Sequence, residues 1–184
     1  MARACVILAP GFEEIEAVTI VDVLRRAGVD TQTAALDELV VVGSHAMAVT
    51  ADVTLADAAN HGWELVVLPG GMPGSAHLRD SAPVRALLRE QHARGGKVAA
   101  ICAAPIALAA AGLLADRRAT SYPTFAAELG CKRYLEEPVV VDGPIITSRG
   151  PSTALPFALT LVRELCGAER AAEVARAMLT SLPA

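Results

Sequence analysis

Short apolar runs alternate with segments of helical periodicity along this chain. Runs of apolar and β-branched residues predict strands, at residues 5–9, 31–35, 40–42, 47–49, 65–68, 98–101, 139–141 and 145–147. Apolar positions that recur every three to four residues predict helices, at residues 15–27, 83–93, 105–111, about 152–166 and 168 to about 179. The runs at 40–42 and 47–49 are close enough in sequence to form a small hairpin.

Residues typical of helix ends support these boundaries. Arg25 and Arg26 fall in the last turn of the first helix and Gly28 follows it, an order that stabilises a helix C-terminus. Ser152 is the expected N-cap of the helix that ends before Gly167. The alternation of strands and helices predicts an α/β fold with a mainly parallel sheet covered on both faces. A length of 184 residues fits one domain, residues 1–184.

Cys102 is the strongest candidate for a reactive group. In a parallel sheet of this kind, ligands bind beyond the carboxyl ends of the strands. Cys102 follows the strand 98–101, and Ala103 and Ala104 allow a tight turn into the helix 105–111. A nucleophile elbow has this geometry, here with sulfur in place of a serine oxygen. A helix N-terminus would lower the thiol pKa from about 8.5 to about 7. The alternative is an inert thiol packed in the core.

Glu16 is the candidate partner of that thiol. It heads a helix face that includes Ile20 and Val23, so we expect a buried carboxyl group with a raised pKa. A protonated Glu16 would donate to a thiolate and stabilise it, whereas an ionised Glu16 would repel it. The same group could act as general acid or base. The alternative is a carboxylate that only favours the helix N-terminus, the role we assign to Glu13 and Glu14.

The glycine pair after strand 65–68 is a candidate for binding through backbone donors. Gly70 and Gly71 have no Cβ, so their N–H groups are open to a ligand. Together with the N–H of Ala103, they could hold a developing oxyanion. The alternative is a loop that needs positive φ. The pair is not a P-loop, because no Gly-Lys-Ser/Thr follows. The four histidines lack metal-ligand spacing, so we expect no metal.

Composition excludes several other classes. A net charge of −4 with 3% aromatic residues argues against nucleic-acid binding. Four widely spaced cysteines and no signal-peptide pattern fit a reducing cytoplasm. The uncharged segment 98–115 has the length of a membrane span. Because Pro105 and Gly112 interrupt it, we interpret it as a buried strand and helix, with no membrane contact.

Four motifs follow one another along the chain: Glu-Glu-Ile-Glu at 13–16, Leu-Pro-Gly-Gly at 68–71, Ala-Ala-Ile-Cys-Ala-Ala-Pro at 99–105 and Thr-Ser-Arg-Gly-Pro at 147–151. As a set they resemble the DJ-1 (ThiJ/PfpI) superfamily, in the branch of the Parkinson-associated deglycase and bacterial YajL. The similarity runs from about residue 5 to residue 178. It implies a flavodoxin-like three-layer sandwich and a homodimer.

The resemblance also implies roles for individual residues. Cys102 would be the reactive, easily oxidised cysteine and Glu16 its protonated partner, with backbone donors as described above. Arg26 and Arg149 match basic positions near the family's site or dimer contact. Two residues depart from the family. Ala103 stands where protease-like relatives have His, and Tyr122 stands where a site His is found, which leaves proton transfer to Glu16, Tyr122 or water.

Three functions stay open at this point. The first is a cofactor-independent glyoxalase or deglycase that acts on methylglyoxal, glyoxal or another small electrophile through a Cys102 hemithioacetal. The second is an oxidative-stress sensor in which Cys102 is oxidised to a sulfinic acid without turnover. The third is a chaperone or structural dimer with an incidental thiol. The first two need the same activated cysteine, so the sequence does not separate them.

Overall fold

The structure of the chain, a computed structural model, describes residues 2–181. The strands in this part of the chain are β1 (Arg3–Leu8), β2 (Asp30–Ala35), β3 (Val40–Val42), β4 (Ala48–Thr50), β5 (Val53–Thr54), β6 (Leu65–Leu68), β7 (Lys97–Ile101), β8 (Arg118–Ala119), β9 (Arg133–Tyr134), β10 (Val139–Asp142) and β11 (Ile145–Ser148). The helices are α1 (Glu14–Arg26), α2 (Leu55–Ala58), α3 (Gly74–Asp80), α4 (Ala82–Ala93), α5 (Pro105–Ala110), α6 (Ala154–Cys166) and α7 (Ala168–Ala177).

One seven-stranded sheet organises the fold. Its order is β10-β11-β7-β6-β1-β2-β5, and neighbouring strands are parallel except for the antiparallel pair β10–β11. The mainly parallel sheet predicted from the sequence is therefore confirmed. Strands β3 and β4 form the predicted hairpin outside this sheet. Residues 123–128 and 151–153 form short 3₁₀ turns.

Helices cover both faces of the sheet because the side chains of each strand alternate between the faces. In β1, Val6 and Leu8 pack in the core that includes α1, α6 and α7. Cys5 and Ile7 point to the opposite core, which includes α4 and α5. All four side chains are fully buried or nearly so. The predicted three-layer arrangement is confirmed, and both faces of the central strands are apolar as this arrangement requires.

Strand order brings the predicted site segments together. The adjacent strands β11, β7, β6 and β1 run in the same direction, so their carboxyl ends meet at one edge. The segments that follow them carry Arg149, Cys102, Gly70 and, after β1, the start of α1 with Glu16. These residues are up to 133 positions apart in the chain and become neighbours through the sheet alone.

One N-cap prediction is wrong, and helix α3 is among the elements that the sequence analysis missed. Ser152 is not an N-cap, because Pro151–Thr153 forms a 3₁₀ turn before α6. Thr153 precedes the helix, and its hydroxyl group bonds to Gly150 and to the Ser148 hydroxyl group rather than capping α6. Helix α3 was not predicted, because a glycine at position 74 after a proline is typical of a loop.

The uncharged segment 98–115 forms most of β7, a tight turn and α5, as the sequence indicated. Within residues 2–181, no helix combines the length and the apolar character that a membrane crossing requires.

Candidate active site

Cys102 occupies a sharp turn between β7 and α5. Its φ is +63°, a left-handed conformation that residues other than glycine rarely adopt. Two backbone hydrogen bonds hold it: the Cys102 N–H donates to the Ser148 carbonyl group over 3.0 Å, and the Tyr122 N–H donates to the Cys102 carbonyl group over 2.8 Å. The side chain is half-buried. The predicted elbow is therefore confirmed, and strain of this kind is common at functional sites.

Glu16 lies in the first turn of α1 with its side chain fully buried. Its Oε2 accepts a hydrogen bond from the Gly70 N–H over 2.7 Å, while Oε1 is buried and has no hydrogen-bond partner. The pKa of this carboxyl group is raised to about 7, because burial and, to a smaller extent, the charge of Glu13 outweigh the lowering by the Gly70 bond and the Cys102 side chain. Near neutral pH, Glu16 therefore exists in both the protonated and the ionised form.

Gly70 lets the carboxyl group and the thiol approach each other. A Cβ built at this position would lie 2.5 Å from the Cys102 Cβ and 2.7 Å from Glu16 Oε2. Both distances are too short for non-bonded heavy atoms, so any side chain here would push the two groups apart. The geometry thus gives Gly70 a steric role between Cys102 and Glu16.

The predicted backbone donors divide into two roles. The N–H groups of Ala103 and Gly71 hydrogen-bond to the Cys102 sulfur and lower its pKa, so these two donors face the position of a reacting atom. The Gly70 N–H is instead occupied by Glu16. The prediction that Gly70 stabilises an oxyanion is therefore wrong, because its donor holds the partner carboxyl group.

The thiol is not activated by its surroundings alone. Burial and the charge of an ionised Glu16 raise the pKa of Cys102 to about 12, against the lowering by the two backbone donors. The lowering expected from the N-terminus of helix α5 is therefore outweighed by burial and by Glu16. Because the charge of Glu16 repels a thiolate, an activated Cys102 requires Glu16 in its protonated form.

Glu13 and Glu14 take different roles at the start of α1. Glu13 is the N-cap, and its carboxylate accepts the Glu16 N–H over 2.7 Å, as predicted for a carboxylate at a helix N-terminus. Glu14 is buried and binds the loop between β3 and β4. It accepts hydrogen bonds from the N–H and Nδ1 of His45, from the Ser44 hydroxyl group and from the Met47 N–H.

This loop contact was missed by the sequence analysis, because its partners lie about thirty residues away and no local pattern marks them. Burial raises the pKa of Glu14, but the hydrogen bonds from His45 and Met47 outweigh it and hold the pKa at about 2. Glu13, Glu14 and His45 are the group of described residues whose ligand atoms are close enough for a metal ion. Because the loop donors already use the oxygens of Glu14, the cluster is explained as an anchor of the loop.

The three residues expected at the site periphery differ in how they lie relative to the turn that carries Cys102. Tyr122 adjoins the thiol turn through its backbone bond to Cys102, and its side chain is 45% exposed. Arg149 directly follows Ser148, the residue that binds the Cys102 N–H, but its guanidinium group donates to the Glu136 carbonyl group.

Arg26 lies outside the site in this chain. It lies ten residues after Glu16, about 15 Å along the axis of α1, at the opposite end of the helix. Its guanidinium group pairs with Asp22 at 2.6 Å.

A sequence profile of the DJ-1/PfpI family matches residues 2–164. The chain is 44% identical to the protein dj-1beta of Drosophila melanogaster over 181 residues, which cover 97% of each chain. It is 36% identical to the glutathione-independent glyoxalase DJR-1.2 of Caenorhabditis elegans, with 91% of this chain and 90% of that protein covered.

Solved structures show the same fold. The crystal structure of Drosophila melanogaster DJ-1beta superposes with a TM-score of 0.94 at 43% identity and covers 98% of each chain. The structure of oxidised Toxoplasma gondii DJ-1 also gives 0.94, at 38% identity, over 98% of this chain and 99% of that one. The flavodoxin-like architecture expected from the sequence is thereby confirmed.

The raised pKa of Glu16 makes the stability of the protein depend on pH. Between the ordinary pKa of 4.5 and the folded value of about 7, the folded state keeps a proton that the unfolded state has lost. The free energy of unfolding therefore falls as pH rises through this window, by about 3 kcal/mol in total.

We expect Glu16→Gln to escape this loss, because an amide does not ionise and its oxygen still accepts from Gly70. Urea unfolding from pH 4.5 to pH 8 measures the free energy of unfolding of both proteins. As pH rises, Glu16→Gln should become more stable relative to the wild type. Glu90→Gln, at an exposed position of α4, should follow the wild type. A constant difference between Glu16→Gln and wild type would show that Glu16 titrates normally.

Proposed function

The chain belongs to the DJ-1/PfpI family, and from that premise we propose that it is a glyoxalase that uses Cys102 as nucleophile and needs no glutathione. One observation carries the proposal: the carboxyl group of Glu16 is buried beside the Cys102 thiol with one oxygen unpaired. The conversion of a dicarbonyl to a hydroxy acid needs a nucleophile and, next to it, a group that both donates and accepts protons. A relative named a glutathione-independent glyoxalase supports this substrate class.

The reaction starts when the Cys102 sulfur attacks the aldehyde carbon of methylglyoxal. A carbon–sulfur bond forms, and the electron pair of the carbonyl π-bond moves to the oxygen. The N–H groups of Gly71 and Ala103, which face the sulfur, would stabilise that developing charge. The protonated Glu16 gives its proton to this oxygen, which yields a hemithioacetal and leaves Glu16 ionised.

Glu16 then moves a proton between the two carbons of the substrate. Its ionised form removes the proton from the former aldehyde carbon, and its protonated form returns a proton to the adjacent carbon. The product is a thioester of lactate with Cys102. Water hydrolyses this thioester, releases lactate and returns the proton to the thiol, so the overall reaction adds one water molecule. A pKa of about 7 suits Glu16 to both halves of the transfer at neutral pH.

Lactate formation tests the proposal. Purified protein is incubated with methylglyoxal in the presence of a chelator and without glutathione, and lactate is quantified. We expect turnover by the wild type, none by Cys102→Ser, and a loss of at least about 100-fold in Glu16→Gln. Cys166→Ser, which changes an exposed thiol, is the matched control and should keep full activity. Unchanged turnover in Cys102→Ser or Glu16→Gln would contradict the mechanism.

A second function, peroxide sensing, is favoured by the same donors around the sulfur. The N–H groups of Gly71 and Ala103 could bind the oxygens of a sulfinate, and a protonated Glu16 could donate to one of them. A related structure of this fold is that of an oxidised protein. In this role Cys102 reacts with peroxide and the protein performs no catalytic turnover.

The order in which the cysteines oxidise tests the sensor function. Cys166 is exposed, whereas Cys102 is half-buried, so exposure alone would favour Cys166. We expect dilute peroxide to add two oxygens to Cys102 before it modifies Cys5, Cys131 or Cys166, as followed by peptide mass spectrometry. Oxidation of Cys166 or Cys131 first would argue against a sensor cysteine at position 102.

A homodimer is the proposed assembly. Apolar side chains that are about half exposed lie on α1 and around the hairpin β3–β4: Ile15, Val18, Val40, Val42 and Met47. Val18 of α1 and Val49 of the hairpin line a common groove, so the two elements form one apolar surface. Such a surface is typical of a protein interface, and a second copy of the chain would cover it.

The mass in solution tests the assembly. We expect sedimentation equilibrium to give twice the chain mass of 19.0 kDa. Val18→Glu places a charge in the apolar surface and should shift the protein towards monomer. Arg89→Glu, at an exposed position of α4 in the other helical layer, should leave the mass unchanged. A wild-type protein that sediments as a monomer would refute the proposed dimer.

A further inference from the structure

A second carboxylate, that of Glu13, lies directly against the buried Glu16. Glu13 is only 7% exposed, and its Oε2 accepts the Glu16 N–H over 2.7 Å. The Glu13 N–H donates to the Gly70 carbonyl group over 2.8 Å, and the Gly70 N–H donates to Glu16 Oε2 over 2.7 Å. These three hydrogen bonds close a ring that fixes Glu13, Gly70 and Glu16 relative to one another.

The negative charge of Glu13 acts unequally on the two members of the reactive pair. It raises the pKa of Glu16 after the larger effect of burial, whereas the main causes that act on the pKa of Cys102 are burial, Glu16 and two backbone donors. When the pair loses one proton, the remaining negative charge resides either on the carboxyl group or on the sulfur. A neighbouring carboxylate penalises the first state more than the second.

We infer that Glu13 is a positioning residue that directs the negative charge of the pair to the Cys102 sulfur by keeping Glu16 protonated. The inference rests on the proposed role of Cys102 as nucleophile. Glu13 itself has no direct role at the sulfur. It acts through Glu16, and its charge is the property that matters.

The ring of His45 lies near the Glu13 carboxylate, with ligand atoms within 4.8 Å, but its closer partner is Glu14, whose charge matches that of a protonated His45. In the described part of the chain, the neighbours that shift the pKa of Glu16 are the Gly70 N–H, the Cys102 thiol and Glu13 itself. The remaining titratable groups at this end of α1 are Glu14 and His45, which bind each other at 2.9 Å. His45 is 73% exposed, and Glu13 affects its pKa less than Glu14 does.

The capping role of Glu13 and its charge can be separated by substitution. Capping α1 requires only an oxygen that accepts the Glu16 N–H, and the side-chain oxygens of Gln and Ser can supply one. A purely structural cap would therefore survive Glu13→Gln, which removes only the charge. Glu13→Asp keeps the charge on a shorter side chain.

The rate of Cys102 alkylation by iodoacetamide from pH 5 to pH 10 tests the inference, because it reports the thiolate fraction. Mass spectrometry of the Cys102 peptide measures it. We expect Glu13→Gln to react about three- to tenfold more slowly at pH 7, with its profile displaced to higher pH. Glu13→Asp and the distant Glu90→Gln should remain close to the wild type. Melting curves verify that each variant is folded, and Glu13→Ser is the second neutral variant should Glu13→Gln fail to fold.

Two results would overturn the inference. One is a profile of the neutral variant that coincides with the wild type, which would make Glu13 a structural cap only. The other is an equal slowing by Glu13→Asp and Glu13→Gln, which would assign the effect to shape instead of charge. Alkylation requires no turnover, so a wild type that produces no lactate refutes the proposed glyoxalase and leaves this test intact.

Discussion

The site depends on one constraint: a carboxyl group and a thiol are buried side by side against the backbone of Gly70. Removing Glu16 from water makes its ionised form costly, and the charge of an ionised Glu16 makes a Cys102 thiolate costly. The two groups therefore compete for a single negative charge. The surroundings of the pair decide its chemistry by deciding which of the two holds that charge.

Several elements far apart in sequence maintain this arrangement. Strand β11 and residue 122 hold the strained turn of Cys102 through two backbone bonds. The N-terminus of α1 is fixed by Glu13 on one side and by the loop that Glu14 binds on the other. That loop joins strands β3 and β4, whose hairpin is part of the apolar surface proposed for a second copy. The surface is therefore connected through Glu14 to the turn of α1 that carries Glu16.

The chemistry available to the site follows from the same geometry whichever function operates. A dicarbonyl oxygen and a sulfinate oxygen would both meet the N–H groups of Gly71 and Ala103. Both reactions begin with the thiolate, and both use Glu16 as a donor. A glyoxalase needs Glu16 to give and take protons in turn, whereas a sensor needs it only to give one hydrogen bond, so a pKa near neutrality matters more to the enzyme.

Local patterns in the sequence determined most of the fold and the central pair. Alternating apolar runs marked β1, β6 and β7, and the position of Cys102 between a strand and a helix marked the elbow. The apolar face headed by Glu16 indicated its burial. Tertiary structure alone decided that the Gly70 N–H serves Glu16 and not an oxyanion, and that Glu14 anchors a loop. Periodicity reports which face of an element is buried, but hydrogen-bond partners and distances depend on how separate elements pack, and that information is not local.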